Sequence, residues 1–166
     1  MSCDITNGRV EECKDSVSGL KAIYFANFDD LDTDKYELKS NENSFTTAVQ
    51  TSRDNGTTFF EQTLQISLKK QDFAMHKNIK LLAYGRPRII VRTMTDQFFL
   101  MGLAQGCDTT AGEISSGAAL GDFNGYKLTF VASEVLPANF IDITSQGELQ
   151  VAFADSAGTA ATITTT

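Results

Sequence analysis

Tryptophan is absent from this chain of 166 residues, and proline, histidine and cysteine are scarce at two, one and three. One histidine, His76, excludes a multi-histidine metal site and leaves a single imidazole for acid or base work. Cys3, Cys13 and Cys107 show no C-x-x-C spacing, so neither a zinc knuckle nor a redox dithiol is indicated, and reduced thiols are the expectation. Cys3 and Cys13 could close a small loop only in an oxidising setting. No stretch approaches the roughly 20 apolar residues of a membrane span. The opening MSCDITNGRVEECKD is polar where a secretory signal is hydrophobic, so a soluble protein made in a cytoplasm is expected. Positive charge is also short: 14 Lys and Arg against 21 Asp and Glu give a net charge of −7, which argues against a protein that grips phosphates. An acidic surface serves solubility, and it would also suit a conduit through which DNA slides.

What is present reads as β-structure around a core. Apolar residues at 42% and charged residues at 21% are ordinary globular values, and the length fits one domain. Residues 1–153 are read as a single β-rich domain with an extended N-terminal segment, and 154–166 (ADSAGTAATITTT) as a flexible tail or arm. Residues 20–25 and 45–53 are strand-like, with an acidic loop over 27–35 between them. Asp54-Asn55-Gly56 is a hairpin signal. In the strand after it, Phe60, Leu64, Ile66 and Leu68 share one face and Glu61, Thr63, Gln65 and Ser67 the other. A helix is expected over 73–84, capped by Asp72, with Met75, Ile79, Leu82 and Ala83 in a stripe and Gly85 and Pro87 as the stop.

Residues 88–94 and 97–101 read as strands, the first buried on both faces through Ile89, Ile90 and Val91. The Gly-, Ser- and Thr-rich stretch 102–121 has no clear period and reads as a long loop or loose strands, of the kind that covers a neighbour. Tyr126, Leu128, Phe130 and Ala132 then alternate with Lys127, Thr129, Val131 and Ser133, and a last strand is expected over 148–153. Seven or more strands with one helix give a mainly β fold, an antiparallel barrel or sandwich with one packed helix.

Motifs of chemistry are few. Asp30, Asp32 and Asp34 copy the first ligands of a calcium loop, but Lys35 stands where that loop needs glycine and Asn41 where it needs a bidentate glutamate. Gly102-x-x-x-Gly106 lacks the Lys-Ser/Thr of a phosphate loop, and no G-x-S-x-G elbow occurs. Nothing around Cys107 (QGCDT) would lower its pKa, and His76 lies off the apolar stripe of the helix. No enzyme activity and no cofactor are expected.

The opening run from Asn7 to Asp15 (NGRVEECKD), Gly19 to Phe25 (GLKAIYF) and Ala118 to Phe130 (AALGDFNGYKLTF), with Glu134 and Pro137-Ala138-Asn139-Phe140, resembles virion structural proteins of tailed bacteriophages, most of all major tail tube proteins. That resemblance implies a virion tail location after assembly in the host cytoplasm. It implies a homo-oligomer of hexameric rings whose sheets join into an inner barrel. It also implies stacking through loops and arms, other tail proteins as partners, and DNA only in transit. The residues assigned to subunit contacts on this basis are Asp54, Asn55, Gly56, Gly102, Gly106, Thr110, Gly112, Gly117, Ala154 and Thr166. The open alternatives are a head decoration or head-to-tail connector protein, and a β-sandwich module binding calcium or carbohydrate through the loop of Asp30, Asp32 and Asp34 and exposed aromatics.

Overall fold

The computed structural model describes residues 17–26, 33–38, 42–143 and 163–165. Ten strands and one helix follow in order: β1 Leu20–Ala26, β2 Thr33–Glu37, β3 Ser44–Ser52, β4 Thr57–Lys69, α1 Phe73–Tyr84, β5 Arg88–Thr93, β6 Phe98–Met101, β7 Asp108–Ser115, β8 Gly125–Glu134, β9 Asn139–Ile141 and β10 Ile163–Thr165. They form two sheets, six strands in the order β10-β2-β1-β5-β6-β9 and four in the order β3-β4-β8-β7. Every pairing is antiparallel except that of β10 with β2, which is parallel. The result is a β-sandwich with one helix, and no helix among the described residues is long and apolar enough to cross a membrane.

The period-2 patterns decide which sheet faces meet. Leu64 and Ile66 of β4 pair with Phe130 and Leu128 of β8, and all four are buried. They face Ile23 and Phe25 of β1, Ile89 and Val91 of β5, and Met101 of β6 across the sandwich. Phe25 joins the two layers, its ring 5.3 Å from both Phe130 and Tyr36. The six-stranded sheet is apolar on its other face as well: Ala22, Tyr24, Ile90, Phe98 and Leu100 are buried there against Ile141 and Ile143. That explains the unbroken apolar runs of β1 and β5, which a sheet wet on one side would not carry. At one flank Phe45, Phe99 and Phe140 line up across the layers, with centroids 5.7 and 4.3 Å apart.

Helix α1 packs Met75, Ile79 and Leu82 on the core, while Ala83 is exposed, outside the stripe expected for it. Asp72 caps it by accepting the Ala74 N–H at 3.2 Å. Gly85 ends it in an extended conformation (φ −87°) and not the left-handed one, so Pro87, which cannot continue a helix, is the effective stop.

Several expectations are corrected. Within 102–121, of the two readings, loop or loose strands, the strand holds for Asp108–Ser115, which form β7 against β8. Thr33–Glu37 form β2, so the acidic stretch before it is shorter than a loop over 27–35. Ile163–Thr165, expected in a tail, form β10, as suits the β-branched run Ile163-Thr164-Thr165. Ser67, assigned to the wet face of β4, is buried beside Asn43, whose Oδ1 accepts the Ser67 N–H at 2.7 Å. The strand expected over 148–153 lies outside the described residues.

Candidate functional site

The four-stranded sheet presents two ends and two edges, and every candidate contact residue that is described lies on one of them. Because Phe60 pairs with Glu134 and Lys69 with Gly125, one end of the sheet holds the β3–β4 turn and the close of β8, and the other holds the loop into β8. At about 3.4 Å per residue the ends are roughly 30 Å apart.

The first end carries a buried polar network. Gln62 points inward between Phe60 and Leu64 with 2% of its surface exposed. Its Oε1 accepts the Gly102 N–H at 3.2 Å and its Nε2 donates to the Leu136 carbonyl at 3.3 Å. Glu134 is also buried and accepts at Oε1 the N–H groups of Ala104 and Gln105, at 3.0 and 2.8 Å. The turn they hold needs its glycines. Gly102 is left-handed (φ +71°), and a Cβ there would lie 2.6 Å from the Cys107 sulfur; Gly106 (φ +77°) would meet the Arg86 carbonyl at 2.9 Å. Gly102 and Gly106 are therefore buried parts of the fold, and the surface of this turn is made by Leu103, Ala104 and Gln105.

Beside the turn, a groove of about 420 Å³ runs between Phe59, Val131 and Val135 on one wall and Arg86, Asp108 and Thr110 on the other. Arg86 and Asp108 form an ion pair at 3.3 Å, both largely exposed. Thr110 sits at the irregularity between Thr109 and Ala111 where β7 shifts register on β8, so its backbone is outside the ladder. Asp54, Asn55 and Gly56 form the tip of the β3–β4 hairpin, a four-residue turn closed by Gly56 N–H to the Arg53 carbonyl at 3.3 Å.

The opposite end is organised by Asp122, whose Oδ2 accepts the N–H groups of Ala118 and Ala119 at 2.9 and 2.7 Å. Those two hydrogen bonds hold its carboxyl below the usual range. Gly117 lies in this loop with φ +69°, and Gly112 lies on β7 opposite Leu128. Ala154 and Thr166 lie outside the described residues.

No strand among the described residues pairs with the outer side of β3 or β7. β3 (SFTTAVQTS) contains no charge, proline or glycine, the usual guards of an edge, and most of its residues are exposed. The sheet's outward face is built of Thr46, Ala48, Gln50, Phe59, Thr63, Gln65, Thr129 and Val131, with Glu61, Asp108 and Glu113 against Lys69 and Lys127.

The remaining candidates are dispersed. Cys107 is buried, and burial first, then the charges of Glu134 and Asp108, push its thiol up to about 12 against one backbone hydrogen bond from Ile89. It is a protonated core thiol. His76 is exposed on α1, its ring 6.4 Å from Tyr126. Asp30 and Asp32 lie outside the described residues, while Asp34 belongs to β2, an extended strand and not an ion-binding loop. Among the described residues no group of three or more His, Cys, Asp and Glu is placed to hold a metal. Gln62 and Glu134 were not anticipated, although a polar residue on the apolar face of a strand was the available signal. No family model, curated protein or solved structure matches the chain.

Proposed function

We propose that this chain is a structural subunit of a tailed-bacteriophage particle that self-assembles into stacked rings, as a major tail tube protein does. The observation that carries the reading is the four-stranded sheet whose two edge strands, β3 and β7, on opposite sides, have no outer strand partner among the described residues, with β3 free of charge, proline and glycine. A bare edge is an aggregation hazard in a monomer and a joining surface in a closed ring. The strand count favours closure: with four alternating strands, β3 and β7 run antiparallel, so β7 of one copy beside β3 of the next continues the antiparallel pattern across the joint.

In such a ring the bulk of the six-stranded layer stands outside, and the outward face of the four-stranded sheet lines the channel. Six copies would close about 24 strands, more than the 16 to 18 that already enclose an aqueous channel. Its mostly Thr, Gln and Ala surface, with Phe59 and Val131 and three carboxylates against two ammonium groups, offers DNA little phosphate grip. The hairpin tip and the Leu103–Gln105 surface at one end, and the Asp122 loop at the other, supply the two different faces that head-to-tail stacking requires.

Light scattering across a concentration series, with negative-stain electron microscopy of the same samples, tests this. Rings or tubes with an open channel are expected. A species that stays monomeric at every concentration, with or without phage tail-initiating components, would overturn it.

A further inference from the structure

Segment 69–88 holds six of the 14 basic residues and one of the 21 acidic ones, +5 net, which leaves −12 on the rest of the chain. Helix α1 lies at its centre and has two contrasting faces. At about 100° per residue, Phe73, Lys77, Lys80 and Tyr84 fall along one crest, opposite the Met75, Ile79 and Leu82 stripe that meets the core. Phe73 is 90% and Tyr84 85% exposed, and Leu81 beside them 64%. Neither Lys77 nor Lys80 makes an ion pair among the described residues. A groove of about 400 Å³ opens along the crest between Phe73, His76 and Tyr126. Large exposed aromatics are costly to leave in water, and together with unpaired cations on one ridge they suit an acidic surface with apolar patches.

We propose that this crest docks on the acidic surface of a second copy of the same chain, as a contact beyond the sheet edges; the inference rests on the self-assembly reading. Two arguments select the occupant. Charge complementarity is supplied by the chain itself, whose remainder carries −12. Size is the other: a twelve-residue helix is about 18 Å long and about 11 Å wide. A contact of roughly 200 Å² is a quarter of what one partner contributes to a standard complex. A ridge that small does not hold a free partner, but it adds usefully to an assembly whose copies are already adjacent. Nucleic acid is disfavoured because the remainder of the chain carries −12 and repels phosphate.

Sedimentation velocity of the full chain at low and high salt tests the inference, with Lys77→Glu/Lys80→Glu, Lys77→Gln/Lys80→Gln and Phe73→Ala/Tyr84→Ala compared with wild type. All four positions changed are on the solvent side, so the melting temperature should hold. Self-association of the wild type should weaken as salt rises. The lysine variants should lower it about tenfold at low salt and flatten its salt dependence. The aromatic variant should weaken it at both salts. Wild-type assembly that the lysine variants leave unchanged would overturn the crest contact and spare the ring reading. Failure of the wild type to assemble at all would overturn both. Lysine variants that assemble normally yet lose binding to phosphatidylserine vesicles would replace the second copy with an anionic membrane.

Discussion

Gln62 accepts the N–H of Gly102 at 3.2 Å with both residues buried, so an amide on β4 fixes the start of a turn that leaves β6 in the opposite sheet. The bond ties the two layers together at the end of the sandwich where the hairpin tip also projects. Replacing Gln62 with Ala orphans a buried N–H and leaves the Leu136 carbonyl without its donor. The expected loss is about 2 to 3 kcal/mol, checked by urea unfolding.

Glu134 supports the same turn differently, because one carboxylate oxygen receives two N–H groups. Glu134→Gln keeps an oxygen acceptor in place and should cost under about 1 kcal/mol, whereas Glu134→Ala should cost about 2 kcal/mol or more. Hydrogen exchange at Ala104 and Gln105 should accelerate in the alanine variant alone.

The parts of the fold that were legible in the sequence are those with a period. β4 and β8 alternate because one face meets the core, β5 is apolar at Ile89, Ile90 and Val91 because both faces are covered there, and α1 announces itself by its stripe and its Asp72 cap. β7 was illegible for a physical reason: as an edge strand exposed on most of its length, Asp-Thr-Thr-Ala-Gly-Glu-Ile-Ser has no inward face to enforce alternation. β2 was hidden by its charges, since Thr-Asp-Lys-Tyr-Glu is a strand through its pairing with β1 and not by propensity. Among the candidate contacts, the hairpin tip was legible from Asp-Asn-Gly. The burial of Gly102 and Gly106 was not, because glycine spacing does not say which side of a turn faces water.

The thiol of Cys107 gives a pH signature. Its folded pKa is raised from 9.0 to about 12, chiefly by burial, so the folded state keeps its proton where the unfolded chain has lost it. The stabilising contribution is whole below pH 9.0 and is lost as pH rises toward about 12. A thiol reagent at mildly alkaline pH should leave Cys107 unmodified in the native protein and label it on unfolding, and Cys107→Ser should remove this component of the alkaline decline.

Asp122 acts in the other direction. Its two backbone hydrogen bonds lower the folded pKa, so its contribution is present above the ordinary carboxylate range and is lost as pH falls through the lowered value. Amide exchange at Ala118 and Ala119 should speed up on acidification, and Asp122→Ala should show the fast exchange already at neutral pH. If stacking uses this loop, Asp122→Ala should give rings that fail to lengthen into tubes.

The edge of β3 separates folding from assembly most directly. Thr47 and Val49 are exposed and lie on a strand with no charge of its own, so Thr47→Lys/Val49→Lys adds the guard that natural edges use and should change stability by under about 1 kcal/mol. Two ammonium groups per copy would meet β7 of the next copy at every joint of a ring. Melting temperature should be near wild type while ring formation is abolished, scored by light scattering and electron microscopy. Leu128→Asp is the contrasting case: the side chain is 3% exposed in the core, and an unpaired carboxylate there should abolish folding and assembly together. Rings that persist in the lysine variant would move the joint away from β3, because two added charges on an edge strand are the guard that disfavours pairing with another chain.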